Sequence, residues 1–214
     1  MTSTSGRFLT IEGIEGVGKT TQVARLSNAL TVCGIPHVVT REPGGTPLAE
    51  RIRELVLTAR EEPLPPVAEL LLMFASRSVH LANHIEPILS AGSWVVCDRF
   101  TDATYAYQGA GRRMAHADIR SLEVMVQGAR RPDLTLLLDV PVDVGLERSR
   151  KRDAGRTADR FERERAEFFE RVRGGYLLRA RAEPERIAVI DAAAAMDEVT
   201  ARIIEVLRAK SWIS

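Results

Sequence analysis

Short apolar runs at residues 8–11, 37–40, 94–97, 134–138 and 187–190 recur along the chain, most of them flanked by Gly, Pro or Asp. Their β-favouring composition predicts strands. Between them, apolar positions return at helical spacing over residues 19–30, 48–57, 67–89, 117–127 and 199–208. Strands alternating with helices predict an α/β fold, a parallel sheet covered by helices on both faces in three layers. Glu62-Pro-Leu-Pro-Pro66 separates two of the helices and sets the start of the second. There is no internal repeat and no low-complexity tract, so residues 1–214 read as a single domain.

Composition narrows the class. Basic and acidic residues are balanced, 30 against 29, which argues against a nucleic-acid protein with a uniformly basic surface. No run approaches membrane-spanning length, and the first residues lack the apolar core of a signal peptide. A cytoplasmic protein without a membrane partner is the expectation. Cys33 and Cys97 have no metal-ligand spacing and are expected to be reduced core thiols. His80 and His84 have i,i+4 spacing but no evident third ligand, so they read as a helix surface. The final residues 211–214 read as a frayed tail.

The strongest local signal is Gly13-Ile-Glu-Gly-Val-Gly18-Lys19-Thr20, which satisfies G-x-x-x-x-G-K-[ST] between a strand and a helix. Gly13, Gly16 and Gly18 let the backbone wrap a cluster of phosphate oxygens, with Ile14, Glu15 and Val17 between them. Exposed N–H groups and the helix N-terminus then face the anion. Lys19 can reach the β- and γ-phosphates and Thr20 can ligate Mg²⁺, with Thr21 completing the ATP-binding segment.

Trp94-Val-Val-Cys97-Asp98-Arg99 is an apolar strand ending in an acid, a candidate to hold Mg²⁺ through water. Arg99 beside it suits a second anion. Neither Asn-Lys-x-Asp nor a later Asp-x-x-Gly is present, so a GTPase switch is disfavoured, and a motor ATPase normally needs a longer chain. A small kinase remains.

At this point the chain resembles the bacterial thymidylate kinases nearly end to end. The resemblance is carried by the phosphate loop, Thr40-Arg41-Glu42-Pro43-Gly44-Gly45-Thr46, Asp98-Arg99-Phe100 with Ala106-Tyr107-Gln108-Gly109, Arg131-Pro132-Asp133-Leu134 and Asp159-Arg160-Phe161-Glu162. It implies a five-stranded parallel sheet, a helix-packed homodimer, and transfer of the ATP γ-phosphoryl group to dTMP. Another nucleotide kinase and a non-catalytic nucleotide switch are the alternatives. The resemblance further implies that Glu42 faces the acceptor sugar and that Arg53 and Arg99 grip the monophosphate. Arg77, Thr104 and Gln108 would read the thymine edge, and Tyr107 would lie under the deoxyribose. Many relatives stack a Phe on thymine four residues before that arginine; this chain has Met73 there and Phe74 next to it. Either side chain can cover the base, and the expectation is Phe74.

Residues 148–173 carry ten basic and six acidic side chains, and after Arg160 the signs interleave at helical spacing, as on a solvated helix. Residues 150–156 are denser in cations and resemble the LID (about 148–160) that brings an arginine to the triphosphate. In the resembled kinases either the phosphate loop or the LID supplies this arginine; the phosphate loop here has none, so the resemblance implies that this segment supplies it, with Arg152 and Arg156 as the candidates. Glu15 would then face those cations or the acceptor sugar, or be solvated.

Overall fold

A computed structural model describes residues 6–58, 61–152, 160–161 and 164–213, with Arg152 described by its backbone alone. The described residues form one five-stranded parallel sheet, made of β1 (Phe8–Glu12), β2 (His37–Arg41), β3 (Trp94–Asp98), β4 (Leu134–Asp139) and β5 (Ile187–Asp191), in the order β2-β3-β1-β4-β5. Each strand lies where the apolar runs predict it and extends by one residue at its carboxyl end. Those added residues, Glu12, Arg41, Asp98, Asp139 and Asp191, are all charged. They gather ionisable groups along the edge where open α/β sheets bind ligands.

β1 is central and every residue in it is buried. That explains a continuous apolar run instead of an alternating one. Leu9, Ile11, Leu134, Leu136 and Leu138 pack with Leu26, Leu30, Ile203 and Leu207 from helices α1 (Lys19–Val32) and α9 (Met196–Ala209). On β2 and β5, at the two edges, Val39 and Val189 remain exposed.

Helix boundaries follow local chemistry. α2 (Pro47–Leu57) begins with Pro47 at its first position and Thr46 as N-cap, whose hydroxyl accepts the Ala49 N–H at 3.3 Å. α3 (Pro66–His80) starts at the proline run. It continues through a π-helical turn, Leu81–Ile85, into α4 (Glu86–Ser90). Pro87 cannot donate to a carbonyl one turn back, and the wider turn just before it lets the helical path continue.

Periodicity misses two stretches and underspecifies a third. Thr101–Thr104 (α5), with two threonines, runs into a π-helical segment, Tyr105–Gly111, with two tyrosines and two glycines, residues that favour helix weakly. Packing forms it: α8 (Ala166–Ala182) lies so close that a Cβ on Gly175 would sit 2.7 Å from the Ala110 Cβ. α7 (Val142–Arg152) is the second, highly charged and with little apolar stripe. Charge interleaving does mark the α8 region as helical, but α8 is not a merely solvated helix, because Phe168, Phe169, Val172 and Tyr176 are buried. α6 (His116–Gln127) matches its periodicity.

Two further expectations are corrected. Cys97 is buried, but Cys33 is exposed, because it ends α1 where the chain turns out to solvent; both are free thiols. The carboxyl end is docked, not frayed. The Trp212 ring meets Trp94 edge-on at 5.9 Å, and the Arg7 guanidinium lies 4.1 Å over it. No helix among the described residues is long and apolar enough to cross a membrane.

Trp212→Ala is expected to lower unfolding free energy by about 1–2 kcal/mol through lost apolar contact and cation–π attraction. Urea unfolding monitored by circular dichroism checks this; unchanged stability would show that the docked tail contributes nothing.

Candidate active site

The loop between β1 and α1 bends through left-handed glycines, with Gly16 at φ 74° and Gly18 at φ 92°. At Gly16 the requirement is also steric, since a Cβ would lie 1.8 Å from the Gly145 carbonyl oxygen of α7. Lys19 folds back over this loop and donates to the carbonyls of Gly13 at 3.2 Å and Ile14 at 3.1 Å. Burial, and then the Arg99 cation, depress its pKa to about 8. A polyanion in the loop would raise it again by favouring the charged form. Thr20 and Thr21 lie on the first turn of α1 and line the same cavity as Lys19.

Arg99 occupies the centre. Its backbone is left-handed, at φ 71°, which costs a non-glycine residue about 1–3 kcal/mol. The turn is held by the Arg99 N–H donating to the Ile11 carbonyl at 3.0 Å and the Phe100 N–H donating to Glu12 Oε1 at 2.6 Å. The guanidinium donates to the Tyr176 hydroxyl at 3.0 Å, the Tyr107 hydroxyl at 3.0 Å and Glu15 Oε1 at 3.1 Å. Burial opposes its charge, but Tyr107, Tyr176, Glu15 and Asp98 together hold its pKa well above the usual arginine value.

Glu12 is fully buried below this group and accepts the Tyr176 hydroxyl at 2.7 Å. Desolvation, and next the nearby Asp102 carboxylate, raise its pKa to about 8. Asp102 itself is held low: burial would raise it, but Arg186 and Arg179 outweigh that. Glu12 and Tyr176 carry no local sequence signal, since one is the last residue of an ordinary strand and the other sits in a charge-rich helix.

A cavity of about 580 Å³ joins the phosphate loop to the acceptor segments, lined by Glu15, Lys19 and Asp98 on one side and by Glu42, Arg53, Met73, Tyr107 and Gln108 on the other. Arg53 donates to the Pro43 carbonyl at 2.8 Å, tying α2 to the cis Glu42–Pro43 turn. Tyr107 hydrogen-bonds Glu15 at 2.7 Å, so Glu15 is half-buried and paired, not a solvated loop carboxylate. Arg77 and Thr104 lie one layer behind the wall. Arg77 is fully buried, donating from Nε to Glu42 Oε2 at 2.7 Å and from Nη2 to the Thr104 hydroxyl at 3.0 Å.

Two expectations change here, at Phe74 and at His80. Phe74 does not face the cavity; it is buried with Leu70, Tyr105 and Ile119, its ring 4.9 Å below the Arg77 guanidinium. One helical step of about 100° separates the two side chains, and it is Met73 that lines the cavity. Glu42 lines it too, but both its oxygens are engaged, one by Arg77 and the other by His80 Nδ1 at 3.1 Å. His80 is therefore not a helix-surface residue; it is fully buried, with Nε2 2.7 Å from the Thr40 hydroxyl. Arg156 and the side chain of Arg152 lie outside the described residues.

Buried polar atoms without a hydrogen-bond partner are costly in a protein interior. Arg77 Nη1, Gln108 Oε1 and Asp98 Oδ1 are such atoms here, and Asp98 and Gln108 line the cavity. Asp98 Oδ1 and the Thr20 hydroxyl are hard oxygen donors of the kind Mg²⁺ takes. No cluster of three or more His, Cys, Asp or Glu residues forms a metal site among the described residues. A Mg²⁺ ion that keeps waters and borrows phosphate oxygens needs no such cluster, so the residues fit it. A second cavity of about 610 Å³ lies on the other side of the phosphate loop, between Thr20, Arg148 and the Ala192–Met196 turn. Arg148 donates to the Ala192 carbonyl at 2.9 Å. Nothing in the sequence of that small-residue turn marks it as a wall.

A family model described as thymidylate kinase matches residues 11–203. A thymidylate kinase of Chromohalobacter salexigens is 56% identical over 212 residues, covering 98% of this chain and 99% of the relative. One of Alkalilimnicola ehrlichii is 53% identical, covering 99% and 97%. The crystal structure of thymidylate kinase from Ehrlichia chaffeensis superposes with a TM-score of 0.77 at 34% identity, covering 95% of this chain and 99% of that one.

The raised Glu12 pKa has a signed consequence. The unfolded chain releases this proton near pH 4.5 and the folded protein near pH 8, so between those values the folded state binds more protons and stability falls as pH rises. Glu12→Gln removes this contribution, which is at most about 1.4 kcal/mol per pH unit. Denaturant unfolding from pH 5 to 8 is expected to show wild type losing stability relative to the variant as pH rises. Parallel curves would contradict the buried, proton-holding Glu12.

Proposed function

The chain belongs to the thymidylate kinase family, and on that premise we propose how its site divides the work of moving the γ-phosphoryl group of ATP to dTMP, giving dTDP and ADP. The observation that carries the reading is the single cavity running from the phosphate loop to Arg53 and Gln108, with Lys19 and Arg99 on its wall. Two nucleotides laid end to end there bring their phosphates together.

Residues 13–21 hold the triphosphate, Lys19 taking the β- and γ-phosphates, with the nucleoside end directed to the second cavity beside Arg148. Arg53 and Arg99 grip the acceptor phosphate. Tyr107 supports the deoxyribose and Met73 covers the base; Gln108 meets its edge from the cavity wall, and Arg77, held by Thr104 in the layer behind, offers it the unpaired Nη1. Glu42 acts chiefly by holding Arg77 in place. Thr20 and Asp98 would hold Mg²⁺, which when bound would supply charge neutralisation at the triphosphate.

An oxygen of the acceptor monophosphate forms the new bond to the γ-phosphorus as the bond to the β–γ bridging oxygen breaks, and ADP leaves with that electron pair. The attacking phosphate is already largely ionised at neutral pH, its second pKa being near 6, so no strong general base is needed. Lys19 and Arg99 stabilise charge on the transferring group from opposite ends. The phosphate loop holds no arginine. On sequence grounds a further cation comes from the segment at the end of α7, through Arg152 or Arg156. Because attack requires alignment, the rigid turn at Arg99 matters as much as its charge.

Two copies of the chain are proposed to associate through α3 and α6. Val67 and Leu71 on α3 and Val124 and Met125 on α6 are exposed apolar side chains on helices that pack together. The setting is the cytoplasm, where both nucleotides are dissolved.

ADP release with ATP and each nucleoside monophosphate tests the reading. dTMP is expected to be turned over at least tenfold more efficiently than dCMP or dGMP, a margin attainable when polar groups would be left unpaired. Equal efficiency would remove the acceptor assignment. Lys19→Ala is expected to lower turnover by about 10²-fold or more with folding intact, and so is the double substitution R152A/R156A. An active double variant would place the extra cation elsewhere.

A further inference from the structure

Gln108 faces the cavity, but the direction of its amide is set elsewhere. Its Nε2 donates to Glu69 Oε1 at 2.5 Å. Glu69 lies in the first turn of α3 and is fully buried. Its other oxygen, Oε2, accepts from Arg112 Nε at 3.3 Å and from Arg160 Nη2. Arg160 is itself anchored to α2, its Nε donating to the Val56 carbonyl at 3.1 Å and its N–H to the Leu57 carbonyl at 3.1 Å.

A carboxylate accepts hydrogen bonds and cannot donate them. With two guanidinium groups on Oε2 and an amide on Oε1, Glu69 admits one orientation of Gln108: nitrogen toward α3, oxygen away from it. The buried Gln108 Oε1 is then an acceptor without a partner, and Arg77 Nη1 is a donor without one. An acceptor with a donor matches a base edge that offers N–H next to C=O, as thymine does at N3 and O4. Cytosine offers the reverse, a ring nitrogen acceptor next to an amino donor, and would meet like atoms at both places.

We infer that Glu69 is a specificity-positioning residue: by fixing the polarity of the Gln108 amide, it sets the acceptor side of base recognition without touching the base. This rests on Gln108 as a base contact. The isosteric Glu69→Gln inverts the arrangement. Its oxygen must stay with Arg112 and Arg160, its nitrogen then points at Gln108, and Gln108 turns to present N–H groups to the cavity.

The test measures kcat/KM for dTMP and for 5-methyl-dCMP, which differ only in the hydrogen-bonding edge. In Glu69→Gln the ratio of the two is expected to fall by about tenfold or more. The exchange E69Q with Q108E is expected to restore it. In that pair the amide introduced on α3 donates to the carboxylate introduced on the π-helical segment, whose second oxygen accepts from thymine N3–H. A residue that merely balances Arg112 and Arg160 would lower both efficiencies together and leave the ratio unchanged; that result, or an exchange that fails to restore the ratio, overturns the inference. Gln108→Ala separates the levels. If it lowers the ratio while Glu69→Gln does not, only the Glu69 role fails; if it leaves the ratio unchanged, the base contact itself is wrong and the inference falls with it. Should Glu69→Gln not fold, hydrogen exchange of the Gln108 side-chain amide in wild type decides. Protection both free and with dTMP bound supports the assignment, and exchange at the solvent rate overturns it.

Discussion

The site is organised around one half-buried cation. Arg99 sits at the carboxyl edge of the sheet, in a left-handed turn, with Tyr107, Tyr176 and Glu15 within hydrogen-bond reach. A guanidinium so placed must be compensated, and the partners that compensate it come from four places: the phosphate loop, the π-helical segment, α8 and, through Tyr176, the end of β1. The close approach of α8 to the Tyr105–Gly111 segment, which small residues permit, serves that end. The same cation depresses Lys19, so without a polyanion the two positive groups work against each other. An anion between them relieves both.

The acceptor wall uses a second device. Buried carboxylates hold the polar groups at the cavity wall and just behind it: Glu42, on the wall, holds Arg77 behind it, and Glu69, behind the wall, holds Gln108 on it. Each long polar side chain loses much of its rotational freedom in this way before any ligand arrives, and each keeps one atom unpartnered. The cost of those unpaired atoms is borne by the folded state, and a ligand that pairs with them would recover it. His80 and Thr40 extend this second layer from β2, which explains why a histidine with apparent metal spacing is part of the interior.

Much of this was legible in the chain, for identifiable reasons. The strands declared themselves as short apolar runs because a parallel sheet is covered on both faces, and the phosphate loop because glycine, lysine and threonine at fixed spacing have few other uses. Which of Met73 and Phe74 lines the cavity was not legible, since they are adjacent apolar residues and only the rotation of α3 decides between them. Glu12, Tyr176 and Glu69 were silent because their roles come from contacts across more than thirty residues of sequence, with partners such as Gln108 and Phe100. Cys33 and Trp212 show the same limit at the surface: hydrophobic character and chain position do not reveal which end of a helix faces solvent or which tail finds a ring to pack on.

The most direct measurement of the role given to Arg99 is a crystal structure with adenosine and thymidine joined through a chain of five phosphates. The phosphates are expected between Lys19 and Arg99, with Arg99 turned from Glu15 toward the anion, thymine between Met73 and Gln108, and adenosine beside Arg148. A complex in which Arg99 keeps only its protein partners while the phosphates pass elsewhere would contradict that role.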